Sequence, residues 1–103
     1  MRGPLLSSPS PQKNRRIMEE IVIWETNAER IRACENAVLK ALKELGLKGT
    51  IMVNSEPPLI SRNQLWKRLP VLEIRGQHWS LHPGEPFTTE QLVRLFRRVF
   101  GTE

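Results

Sequence analysis

The stretch Glu20-Ile21-Val22-Ile23-Trp24-Glu25-Thr26-Asn27-Ala28-Glu29-Arg30-Ile31 decides the fold of this chain. Ile21 to Trp24 are apolar on both faces, the pattern of a strand in the middle of a covered sheet, so a strand is predicted over Glu20–Trp24. Thr26 or Asn27 can cap a helix behind it, and Glu29 is well placed in its first turn. Ile31, Cys34, Val38, Leu42 and Leu45 then recur at spacings of three and four, which puts them on one buried stripe. Ala33, Ala37 and Ala41 flank that stripe and allow close approach to a sheet. Lys40, Lys43 and Lys48 gather toward the C-terminal end, and Gly46 is the natural stop. A strand that drops straight into a helix N-terminus is a common place for chemistry, because backbone N–H groups there are unpaired. No cysteine, serine or histidine stands at this helix start.

Working outward, Gly49–Asn54 alternates Ile51 and Val53 with Thr50 and Met52 as a second strand. Glu56-Pro57-Pro58 reads as a stiff connection, and Leu59–Lys67 as a short helix carrying Leu59, Ile60, Leu65 and Trp66. Arg68-Leu69-Pro70 ends it, since a residue before proline is pushed out of the helical region. Val71–Arg75 is the third strand, Gly76-Gln77 a tight turn, and His78–His82 the returning fourth strand. After Pro83-Gly84-Glu85-Pro86, Thr88 and Gln91 form a capping box for a last helix. Its apolar stripe is Leu92, Leu95, Phe96 and Val99, and Gly101 closes it. The order β-α-β-α-β-β-α predicts an α/β fold. A right-handed parallel unit is followed by an antiparallel hairpin, giving a four-stranded mixed sheet with helices on both faces.

A chain of 103 residues is one domain's worth. Hydrophobic content of 39% and charged content of 26% are ordinary for a globular protein. The net charge of +5 would suggest nucleic acid or a membrane surface if it lay on the folded body. Arg2, Lys13, Arg15 and Arg16 fall in residues 1–16, which hold no acid. Sixteen bases less those four leave twelve against eleven acids, so the body is nearly neutral. With Pro4, Pro9, Pro11 and three serines, residues 1–17 are expected to be a disordered basic tail ahead of one domain over residues 18–103. Nucleic acid is expected as a partner only through that tail. Leu5-Leu6 is far too short for a secretory signal, and the prolines spoil the amphipathic helix of a transit peptide. Met18 directly precedes the first strand, so we expect the upstream residues to reflect an early start codon. No apolar run approaches the roughly 20 residues of a membrane span. The one cysteine, Cys34, excludes an intramolecular disulfide and fits a reducing compartment, the cytoplasm.

The element order resembles the thioredoxin-like fold. Leu69-Pro70-Val71-Leu72-Glu73-Ile74-Arg75-Gly76 looks like that fold's proline, third strand and hairpin turn, in which the proline is typically cis. Gly84-Glu85-Pro86-Phe87-Thr88-Thr89-Glu90-Gln91-Leu92 is similar to its entry into the last helix. The resemblance covers Glu20 to Phe100 and is to the small, glutaredoxin-sized members with a minimal four-stranded sheet. It also implies where two redox cysteines, three positions apart, would stand: on Ala28 and Ile31. Without a thiolate at the helix start, dithiol exchange has no chemistry to run on. The resemblance therefore implies a redox-inactive member needing no cofactor. It implies a module that holds an extended protein or peptide beside its proline, using Trp24, Thr26, Asn27, Ala28, Arg30, Leu69, Pro70 and Trp79.

Other chemistry is weaker. Cys34 lies two turns into the helix on the buried stripe and reads as core, with a reactive thiol as the alternative. Thr26 or Asn27 could serve as the hydrogen-bond donor that glutathione transferases place at this helix start. His82-Pro83-Gly84 does not match the polar pair those enzymes use for the γ-glutamyl group. His78 and His82, four apart on a strand, are separated by about 13 Å, too far for one metal ion. Trp24, Trp66 and Trp79 read first as core, and Trp66 and Trp79 second as interface anchors.

Overall fold

A computed structural model of the chain describes residues 19–101, and the tail predicted over residues 1–17 falls outside them. The elements are β1 (Glu19–Trp24), α1 (Ala28–Leu45), β2 (Gly49–Asn54), α2 (Pro57–Arg62), a single 3₁₀ turn (Trp66–Arg68), β3 (Val71–Ile74), β4 (Gln77–Trp79) and α3 (Thr89–Phe100). The strands form one open mixed sheet in the order β2-β1-β3-β4. β1 pairs in parallel with β2 and antiparallel with β3, and β3 pairs antiparallel with β4. The small α/β architecture read from the sequence is thus the one observed.

Register sorts the side chains by face. Ile21 and Ile23 align with Ile51 and Val53 on one side and with Ile74 and Leu72 on the other. Strand alternation sends this set to one face, where α1 and α3 cover all of it but Val53 at the β2 edge. The main core sits there: Cys34, Ala37, Val38, Ala41 and Leu42 from α1 and Leu92, Val93, Leu95 and Phe96 from α3 close over the strands, with Phe87. A second, smaller cluster lies on the opposite face, where Trp24 and Val71 pack with Ile60, Leu65 and Leu69. Helices do stand on both faces, but α2 and the 3₁₀ turn reach only one end of the second. Glu20, Thr50 and Met52 stay exposed at the other end, with Val22 half-buried.

Local chemistry explains the element ends. Asn27, not Thr26, is the N-cap of α1, its Oδ1 accepting the Arg30 N–H at 2.9 Å. Thr88 and Gln91 form the full capping box of α3. Several boundaries differ from expectation. α2 starts at Pro57 and takes both prolines into its first turn, where a missing N–H costs nothing. It does not reach Lys67, because Gln64 at φ 57° breaks the helix and leaves a separate 3₁₀ turn. The hairpin turn is Arg75-Gly76, at φ 54° and 80°, one residue earlier than predicted. β4 accordingly begins at Gln77, and it ends at Trp79, well short of His82.

Candidate functional site

The loop between β1 and α1 is held by a side chain that sequence reasoning passed over. Glu25 directly follows β1 and is completely buried. Its Oε2 accepts the Thr26 N–H at 2.8 Å and the Asn27 N–H at 3.0 Å, and its Oε1 accepts from Arg30 Nε at 2.9 Å. Burial alone would push this carboxyl up. The Arg30 guanidinium and the two backbone N–H groups outweigh it and hold the carboxyl below its ordinary value of 4.5. The same contact raises Arg30, against a smaller opposing cost of desolvation. The only sequence signal was an acid at a strand end five residues before an arginine, too common to be informative alone.

This clamp leaves Thr26, Asn27 and Ala28 exposed on a fixed loop, with Arg30 half-buried beside them. Ala28 and the half-buried Ile31 stand where the resemblance implies thiols, and neither carries a nucleophile. The remaining candidates lie behind the loop. Trp24 is buried, and its Nε1 donates to Glu73 Oε1 at 2.9 Å. His78 meets the Trp24 ring edge-on at 5.9 Å between centroids. The Leu69–Pro70 peptide is cis, and both residues are buried. The Leu69 carbonyl, a group an extended peptide could have used, already accepts the Gly84 N–H at 2.8 Å.

Trp79 is half-buried against the main core rather than standing free at the sheet edge. Its Nε1 and the Nε2 of His78 are buried without a hydrogen-bond partner among the described residues. Trp66, read first as core, is 45% exposed and donates its Nε1 to Ser61 Oγ at 2.7 Å. Arg68 closes the β4 side, giving Nη2 to the His78 carbonyl at 3.1 Å and Nε to Ser80 Oγ at 3.3 Å.

Cys34 is fully buried in the main core. Burial pushes its thiol up, while a backbone hydrogen bond from Phe87 pulls more weakly the other way. This is the environment of an inert, structural cysteine. Among the described residues no three His, Cys, Asp or Glu side chains come together as a metal-binding group. Among them, too, no helix is long and apolar enough to cross a membrane. A shallow hollow on the open sheet face is lined by Glu19, Glu20, Val22, Glu73, Arg75 and Gly76. Its charge is partly closed internally, because Arg75 binds Glu19 at 2.6 Å. The chain matches no protein-family model and no curated protein sequence.

Proposed function

We propose that this chain is a thioredoxin-like domain of glutaredoxin size, without dithiol chemistry, that acts in the cytoplasm as a protein- or peptide-binding module. The reading is supported by the order and directions of the strands. The position of Pro70 before β3 and the capped entry into α3 add to it. The observation that carries it is the β1–α1 loop: exposed, fixed by Glu25 and Asn27, and without a nucleophile at Ala28 or Ile31. A loop ordered before binding loses little further entropy when a partner docks. On this reading Thr26, Asn27, Ala28 and Arg30 make the contact, and Trp24, Leu69 and Pro70 support them from behind.

A glutathione- or thiol-linked enzyme using Cys34 or the Thr26/Asn27 pair has less in its favour. The thiol is enclosed, and the Asn27 side chain is spent on capping. Amide chemical-shift mapping with a pool of extended peptides tests the proposal. Shifts should concentrate on Thr26 to Arg30, and Asn27→Ala or Arg30→Ala should weaken them. Insulin-disulfide reduction that vanishes in Cys34→Ser, or fast iodoacetamide labelling of the native protein at neutral pH, would overturn it.

A further inference from the structure

The two edges of the sheet are finished differently. At β4 the strand is only three residues long, and Arg68 occupies the His78 carbonyl. β2 is six residues long, Gly49-Thr50-Ile51-Met52-Val53-Asn54, and has no charge, proline or bulge in it. Those are the devices by which sheet edges are normally protected from pairing. The Glu19 and Glu25 N–H groups bond the Lys48 and Asn54 carbonyls, so the even-numbered residues of β2 point their backbone groups at β1. By alternation Gly49, Ile51 and Val53 turn their N–H and C=O groups outward. Met52 is 52% and Val53 39% exposed along this edge.

The helix above the edge carries a matching pattern. α1 packs on both β1 and β2 and against α3, which lies toward β3 and β4. Its other flank therefore faces the β2 side of the sheet. A Cβ at Gly49 would lie 3.2 Å from Leu42 Cδ1, which fixes the level of the helix along the strand. α1 connects two parallel strands and so runs opposite to β2. Leu39, three residues back, is displaced by about 4.5 Å, which brings it level with Thr50 and Ile51. Leu39 is 56% exposed, an apolar residue that shares a side of the helix with Leu42. Glu35 and Lys43 stand four residues to either side of it on the same stripe. Neither has an ion-pair partner among the described residues.

From this we infer that the β2 edge is the interface of a two-fold homodimer, in which β2 pairs antiparallel with β2 of a second copy about Ile51 and the two α1 helices meet at Leu39. A two-fold axis there joins the outward backbone groups of Gly49, Ile51 and Val53 into a ladder and continues the sheet to eight strands. It sets Leu39 against Leu39 of the second copy and Glu35 against its Lys43, twice over. α1 lies over the β1–β2 pair, so its mate comes two strand spacings away, about 10 Å, the distance at which helices pack. The charges are complementary only in this antiparallel arrangement. An unrelated extended strand could use the backbone edge, but it would leave Leu39, Glu35 and Lys43 unmatched. The inference is independent of what the β1–α1 loop binds.

Sedimentation velocity of the full chain from about 5 to about 500 µM tests it, a range that brackets micromolar dissociation constants. The expected result is a concentration-dependent dimer. Leu39→Lys, at a solvent-facing helical position, should abolish it with the circular dichroism spectrum unchanged. Glu35→Lys or Lys43→Glu alone should weaken it about tenfold, since each turns two attractive contacts into repulsive ones. The double reversal Glu35→Lys/Lys43→Glu should restore it. A monomer at the highest concentration overturns the inference. So does a dimer indifferent to Leu39→Lys, and so do single reversals that the double does not rescue.

Discussion

On one face of the sheet Ile21, Ile23, Leu72 and Ile74 lie under two long helices. On the other, Trp24 and Val71 lie under a six-residue helix and one 3₁₀ turn, and the sheet then runs out into the open. The same β1 feeds both faces, and its apolar run reads alike on each. The difference comes from what the connections can supply. α1 and α3 carry long apolar stripes with capped ends, whereas the β2–β3 connection is cut short by Gln64 and offers Ile60 and Leu65. Stability is therefore concentrated on the first face. The exposed surfaces, the β1–α1 loop and the β2 edge, lie at the rims where the two layers stop.

The unequal cover of the two faces should show first at Phe96, which is fully buried in the main core. Phe96→Ala should cost about 3–5 kcal/mol by urea denaturation, enough to leave so small a domain marginal. Ile60→Ala, equally buried but in the smaller cluster, should cost about 2–3 kcal/mol, because a cluster near solvent collapses around the lost volume more easily. Equal losses at the two sites would erase the distinction between the faces.

Glu25 is fully buried at the end of β1, and removing its charge in Glu25→Gln should cost about 1–3 kcal/mol. Its carboxyl is depressed below 4.5 in the folded state. Its contribution is therefore fully present above about pH 4.5 and fades as pH falls through the lower folded value. The wild-type protein should lose this part of its stability in acid, while Glu25→Gln should be flatter over the same range. Identical acid limbs would mean that the Arg30 contact contributes nothing. Val22→Ala, on the open part of the second face and half-buried, should cost about 1 kcal/mol or less. A cost near that of Ile60→Ala would show that something covers this face in solution.

Features governed by a few neighbouring residues were readable in the sequence. Thr88 with Gln91, Gly46 and Gly101 act through backbone groups within one helical turn, so spacing alone is enough to place them. The stripe of α1 and the order of the elements were legible for the same reason. The turn at Arg75-Gly76 was misplaced by a residue because an arginine at positive φ carries no sequence signal; here the guanidinium reaches Glu19 and the Val99 carbonyl. The choice between Thr26 and Asn27 as cap needed the structure, because Glu25 takes the Thr26 N–H and sets the loop's path.

The candidate site divides in the same way. That no nucleophile stands at Ala28 or Ile31, and that Cys34 lies on an apolar stripe, follows from residue type and period alone. It took the packing of distant segments to bury Trp24, Leu69 and Pro70, to make Glu25 the buried clamp and to turn Trp66 to solvent. The same packing makes β2 and β4 the edges, β2 open and β4 partly closed by Arg68. Outside the helical stripes, burial and edge exposure depend on contacts between segments far apart in the chain, which no local pattern encodes.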